Sequence, residues 1–239
     1  MNRILVDNNA NNSDTITIDV NDNLNYLINN LKNKYIINVT NSNSNILMIL
    51  ENDKTLDITF NINNSSVVFN CINYNGNDEN INVNLNEENS KVEIYNSVIS
   101  KTKQHIKINT YHNKSKTYSN IYNFGSTKDD GSIIFDVISK VDKGNKKCIL
   151  NQESKIISLN NYNDNEINPI LLIDEYDTEA KHSAFIGKFN EQEVFYLQSR
   201  GIKKKDAYRL LLNGFLIGKM KITTEEKEFL QDKINNVWR

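Results

Sequence analysis

The chain has 239 residues and a formal net charge of −2, from 28 lysines and arginines against 30 aspartates and glutamates. That length can bury a sizeable core, as one elongated domain or as a large domain with a small one. The charge balance lacks the basic surplus of a nucleic-acid binder. Two cysteines, Cys71 and Cys148, are too few for a disulfide framework or a set of zinc thiolates, and they fit a reducing compartment.

The first residues lack the apolar stretch of a secretory signal, and runs such as Ile46 to Leu50 are far too short to cross a bilayer. A cytoplasmic protein with no membrane partner is expected. Asparagine makes up roughly a fifth of the chain and lies almost entirely before Pro169, where glycine is scarce. Asparagine is the residue after glycine that best tolerates left-handed backbone, so it suits tight corners. Its interleaving with Val, Ile, Tyr and Phe argues for order rather than a disordered tract.

Segments of alternating apolar and polar residues then follow in chain order: Thr15 to Val20, Tyr35 to Val39, Asn45 to Leu50, Thr55 to Phe60, Ser66 to Ile72 and Asn80 to Leu85. They continue with Lys91 to Ile99, His105 to Tyr111, Ser132 to Val137 and Lys155 to Leu159. This is the period of strands with one face turned inward. Only Asn23 to Leu31 hints at an early helix. Short polar connections without βαβ alternation favour a β-solenoid, with a β-sandwich as the competitor because no strict repeat length is visible.

After about Phe189 the pattern becomes helical. Asn190 with Glu193 forms a capping signature ahead of Val194, Phe195 and Leu197, and Gly201 supplies a stop. A second helix is predicted from about Lys203 to Asn213, with Ala207, Leu210 and Leu211 on one face and Gly214 just past its end. Thr223 with Glu226 caps a third, carrying Phe229, Leu230, Ile234 and Val237. Helices this short must pack on the β region or on a partner. The organisation expected is therefore a β domain over residues 1–188 and a helical domain over 189–239.

An ordered set of residues crosses that boundary: Pro169, Leu171, Ile173, Asp177, His182, Ala184 and Gly187, then Phe195, Tyr196, Leu197, Ser199, Arg200, Gly201 and Ile202, then Ala207, Leu210, Leu211, Gly214 and Phe215. This pattern resembles the C-terminal region of the SufB/SufD family of the SUF iron–sulfur cluster assembly machinery. Weaker similarity reaches upstream through residues 111–119, 131–135 and 151–159. The resemblance implies a right-handed parallel β-helix followed by a small α-helical domain. It also implies pairing near the last β coils, with a SufB-like subunit or with a second copy, and docking of a SufC-type ABC ATPase by the helices. The chain itself is then a scaffold and not an enzyme. It has no G-x-x-x-x-G-K-[ST] loop to cradle phosphate, so no bound nucleotide is expected here.

The resemblance makes His182 the first candidate for binding a nascent cluster, which would be transient and shared with a partner chain, since a lone imidazole cannot hold one. The family's late-strand cysteine falls near Glu153 or Ser154, and the residue after the motif histidine is Ser183, departures that point to a SufD-like member. Cys148, a few residues earlier, is a further ligand candidate only if it faces an interface. Glu175 and Asp177 offer oxygen atoms; His105 and His112 lie apart from the motif, and His112, on a strand edge, reads as a surface residue. Candidate ATPase-docking positions are Phe195, Tyr196, Leu197, Arg200, Leu211 and Phe215. Two rival readings stand beside this one: a degenerate structural partner of the ATPase without cluster chemistry, and a polysaccharide-binding or polysaccharide-active β-solenoid.

Overall fold

A computed structural model describes residues 4–6, 15–29, 33–50, 55–74, 76, 78–159 and 164–237. The strands are β1 (Ile4–Val6), β2 (Thr15–Val20), β3 (Asn25–Asn29), β4 (Lys34–Thr40), β5 (Asn43–Leu50), β6 (Leu56–Asn63), β7 (Ser66–Asn73), β8 (Glu79–Leu85), β9 (Lys91–Ser100) and β10 (Lys103–His112). They continue as β11 (Tyr118–Thr127), β12 (Ser132–Val141), β13 (Cys148–Ser158), β14 (Glu166–Ile173) and β15 (Thr178–Gly187), before helices α1 (Glu191–Ser199), α2 (Lys204–Ile217) and α3 (Thr224–Val237).

Odd-numbered strands form one sheet and even-numbered strands the other, each strand hydrogen-bonded to the strand two earlier and two later in the chain. Every registered pair is parallel. That is a β-solenoid, and it removes the sandwich, whose sheets are antiparallel. The missing repeat length has a plain cause, because the coils lengthen. Ladder bonds between equivalent side chains span 19 residues at Asp19–Asn38, 23 at Asn38–Asn61, 27 at Asn82–Asn109 and 32 at Asp136–Asn168.

Inward side chains of both sheets build the main core, from Ile16 and Val20 through Ile58, Phe60, Phe69 and Ile94 to Phe135 and Ile156. Within the predicted helix at Asn23 to Leu31, Asn25–Asn29 form a strand instead. There β3 pairs between β1 and β5 and seals Ile28 completely, so sheet pairing overrides a weak helical pattern.

Asparagine holds left-handed backbone at successive corners, with φ of 50° at Asn41, 45° at Asn64 and 62° at Asn89. Lys116 and Lys147 take the same conformation at the later corners, each with φ of 59°, a position costly for a side chain with a Cβ. Replacing Lys147 by glycine should raise stability by about 0.5–1 kcal/mol, the relieved strain exceeding glycine's added chain entropy. The bond from its backbone N–H to the Asp177 carbonyl, at 2.5 Å, is retained in that variant. The urea midpoint measures it, and a lower midpoint would contradict the reading.

The helices lie against the outer face of the odd-numbered sheet. Leu47, Ile49, Ile72, Tyr95, Ile99 and Phe124 meet Leu212, Leu216, Ile217, Met220, Leu230 and Ile234 in a second core. Asn70 Oδ1 accepts from the Lys221 backbone N–H at 2.8 Å, and Asn45 Nδ2 donates to the Lys221 carbonyl at 2.8 Å, pinning the α2–α3 connection to β5 and β7. Asn190 caps α1 through Gln192 N–H at 2.9 Å, one residue earlier than a capping box. Thr223 and Glu226 form the reciprocal box on α3.

The second helix does not stop at Gly214 but runs to Ile217. Burying Leu212, Leu216 and Ile217 on the sheet outweighs the ~1 kcal/mol that an interior glycine costs. The same rotation turns Leu210 outward, 54% exposed, instead of onto the predicted core face. No helix among the described residues is long and apolar enough to cross a membrane.

Candidate functional site

The last coil differs from all those before it. β14 and β15 end their sheets, so among the described residues no further strand stacks on them. Ile170, Leu172, Ile173, Phe185 and Ile186 are all more than a third exposed there. An end strand presents unpaired backbone donors and acceptors beside this apolar surface, a template for another chain. Pro169, which has no N–H to give, is tolerated on such an end strand.

Register fixes the facing of each motif residue. Gln152 pairs with His182, Glu153 with Ser183 and Ser154 with Ala184. Gln152 and Ser154 are buried inside the solenoid. In a parallel in-register ladder the residues above them, His182 and Ala184, take the same inward facing. Here that facing is the open end of the core, so His182 is exposed. Its imidazole therefore belongs to the exposed rung and not to the outer wall.

The two positions near which the family thiol falls, Glu153 and Ser154, face opposite ways by the same alternation. Glu153 points outward, where its two oxygens accept from Lys155 and Lys219, each at 2.6 Å. Burial pushes its pKa up, but those two cations outweigh burial and hold it below the usual carboxylate range. Lys219 also lies 4.3 Å from the Tyr122 ring centroid, tying the end of α2 to the sheet. Ser154 points inward, one rung beneath Ala184.

Cys148 is fully buried with Val141 and Leu150. Its Sγ lies 3.2 Å from the Asn145 carbonyl and 3.3 Å from Thr117 Oγ1. His112, read from sequence as a surface residue, is 1% exposed and spans Thr117 Oγ1 at 2.8 Å and Ser119 Oγ at 2.9 Å. Burial drops its pKa to about 4, so it is neutral.

His105 is half-buried and pairs with Asp136 at 2.6 Å, which Asn168 also holds at 2.9 Å. Burial raises Asp136, but those bonds outweigh it and leave the carboxyl below its usual range. Glu175 is occupied as a turn clamp, accepting from Gly144 N–H at 2.8 Å and Asp177 N–H at 3.2 Å, which lowers its pKa. Among the described residues no three His, Cys, Asp or Glu side chains converge to hold a metal ion. His182, on the open rung, belongs to no such group among the described residues.

The helices present a second surface. Phe195 is 72% exposed and Tyr196 57%, and Arg200 lies 5.3 Å from the Tyr196 ring centroid. Leu197 and Leu211 are half-buried along a groove of about 360 Å³ with Asn190, Glu193 and Tyr196. A larger adjoining hollow of about 570 Å³ lies between α1, α2 and the last strands, lined in part by Lys155, Phe185, Phe189 and Leu210. Phe215 is turned to the solenoid, 5.2 Å from the Phe124 ring and 6.1 Å from Phe189. Sequence reading missed the roles of Asn190 and Glu193 as groove walls and the exposure of Leu210. No periodic signal separates them from capping and core residues.

The fold is thus a parallel β-solenoid with an exposed last rung and with α2 and α3 packed on one wall. The sequence profile of the SUF system FeS cluster assembly SufBD core domain matches residues 37–215, and the chain belongs to that family. It is 43% identical over 96 residues to the iron–sulfur cluster assembly protein SufD of Bacillus subtilis, covering 40% of this chain and 22% of that protein. A SufBD-family iron–sulfur cluster assembly protein of Staphylococcus saprophyticus is 27% identical over 105 residues, 44% of this chain and 23% of that one. A Pyrococcus horikoshii member of the family is 45% identical over 47 residues, 20% of this chain and 10% of that one. The matched segments thus span less than a quarter of these relatives' own lengths.

Proposed function

We propose that this chain is a SufD-like, non-ATPase scaffold subunit of a cytoplasmic SUF-type assembly complex. Residues 1–188 act as the β-helix unit, which pairs through its open last rung with a SufB-like subunit or a second copy. Residues 189–239 act as the docking unit for a SufC-type ABC ATPase. The nascent cluster is cargo, held between chains, with His182 as this chain's ligand and thiolates supplied by the partner. The observation that carries the reading is the position of His182 on an uncapped rung with Ile173 and Ile186, which share its inward facing and are exposed. A second chain covering that rung would bury the apolar surface and bring further ligands to the imidazole. The buried, thiol-donating setting of Cys148 favours a core role for it.

Docking of the ATPase is supported by the exposed aromatic pair on α1 beside the groove of Leu197 and Leu211. Large aromatics over a pocket are the usual energetic anchors of an interface. ATP-driven rearrangement would then reach the rung through the α2–sheet contact, provided the ATPase contacts differ between its nucleotide states.

Anaerobic co-expression with a SufC-type ATPase and a SufB-like chain, followed by mass, iron and sulfide determination, tests both surfaces. His182→Ala should leave the complex mass unchanged and lower bound iron and sulfide. Phe195→Ala with Tyr196→Ala should weaken ATPase binding by about tenfold or more. Failure of the native chain to bind any such ATPase would sink the docking assignment. Binding with iron content indifferent to His182 would instead favour a structural partner without cluster chemistry.

A further inference from the structure

The solenoid interior carries a line of polar groups that its own side chains do not satisfy. In the odd-numbered sheet the inward column passes from Cys71 on β7 to Asn96 on β9, Asn123 on β11, Ser154 on β13 and Ala184 on β15. Neighbouring members of such a column are about 4.8 Å apart. Asn123 is 0% exposed, and among the described residues neither its Oδ1 nor its Nδ2 has a hydrogen-bond partner. Asn96 Oδ1 below it and Ser154 Oγ above it are likewise buried and unpaired, as is Gln152 Oε1 two residues from Ser154.

One such atom costs about 1–3 kcal/mol if left dry. Several in contiguous rungs would cost a large part of a domain's whole stability. Buried polar groups of this kind are met by internal water, which bridges two to four of them at a time.

The lower end of the column is a carboxyl group. Glu79, 1% exposed, accepts from Asn73 Nδ2 and Asn96 Nδ2, each at 2.7 Å. Gln104 joins from the opposite sheet through Asn73 Oδ1 at 3.4 Å. No cation is among these contacts, and burial, together with the nearby Asp78 carboxyl, disfavours an anion at Glu79 against the two asparagine bonds. The upper end is the open last rung, where Ala184 and His182 stand directly over Ser154 and Gln152.

We propose that the interior binds a file of water molecules running from Glu79 past Asn96, Asn123 and Ser154 to the open rung, along which the buried carboxyl exchanges its proton with solvent. Each hop breaks one O–H bond and makes another. The carboxyl passes its proton to a water, that water releases a different proton to the next, and the sequence reverses to restore the acid. No redox partner is needed. The file gives the last rung a proton source and sink inside the core, and it stands whether or not an ATPase docks on the helices.

Infrared spectroscopy of the whole chain, transferred into D2O at about pH 5 where a carboxyl of this kind is protonated, tests the file. The carbonyl band of the protonated acid is assigned to Glu79 by its loss in Glu79→Gln. In the native protein that band should shift well before the backbone amides of β9 and β11 exchange. In Asn123→Leu the early shift should be lost, leaving the carboxyl to exchange with those amides. Ser154→Val gives the same reading if the leucine variant does not fold. A native band that moves only with the surrounding amides would overturn the proposal. So would an early shift that persists in both folded variants, or no band lost in Glu79→Gln.

Discussion

Leu230→Ala should destabilise the protein by about 2–5 kcal/mol, the range for truncating a sealed leucine in a core that cannot collapse around the loss. Leu230 is 0% exposed and lies in the cluster where α2 and α3 meet the outer face of the odd-numbered sheet. Its neighbour Phe229, larger but 48% exposed, provides the control. Phe229→Ala should cost less than about 1 kcal/mol, since most surface changes do little.

Urea unfolding followed by both far-ultraviolet dichroism and tryptophan emission resolves a further point, because the sole tryptophan, Trp238, follows α3. If the helices come away first in Leu230→Ala, the two signals separate. Coincident transitions with a small shift in midpoint would show that this cluster is not what fastens the helical unit to the solenoid.

The native protein should show a nearly level stability between about pH 4.5 and 6.5, and two single substitutions should each uncover a steep slope. Burial raises the pKa of Glu79 from 4.5 to about 7, against the two asparagine bonds that lower it. The folded state therefore holds this proton more tightly than the unfolded chain. Its contribution is whole below about pH 4.5 and is lost as pH climbs towards 7. Over that span the loss amounts to about 3 kcal/mol.

Burial lowers His112 from 6.5 to about 4, so its contribution runs the other way. It is whole above about pH 6.5 and is lost as pH falls towards 4, again by about 3 kcal/mol. The two slopes oppose each other in their common window. Glu79→Gln should leave the histidine slope alone, so that stability rises with pH. His112→Asn should leave the carboxyl slope alone, so that stability falls with pH. Asp136, Glu153 and Glu175, all lowered, titrate below this window. Slopes of the same sign in both variants would refute the pairing of these two buried groups.

Much of the solenoid could be read before folding, because strand alternation is local. The segments from Thr15 to Val20 and from Ser66 to Ile72 fall within β2 and β7. Asparagine at corners was legible for the same reason, since left-handed backbone is a property of single residues. β11 was not legible. Its last half, from Asn123 to Thr127, is buried on both faces and so shows no alternation. The run Ile46 to Leu50 has the same origin, because the helices cover the outer side of β5 while the core takes the inner side.

Of the candidate site, the sequence determined the identity and order of the motif residues, the family they belong to, and the caps that start α1 and α3. Those are encoded in side-chain type and spacing along a few turns of chain. Only the tertiary structure decided that His182 faces the open end of the core while Glu153 faces outward, since a strand's facing depends on the register of its neighbour. It also decided that Gly214 lies inside a helix, that Leu210 is exposed, and that His112 is sealed and neutral. Each of those depends on which surface a distant segment covers, and contacts between residues far apart in sequence leave no periodic trace in either one.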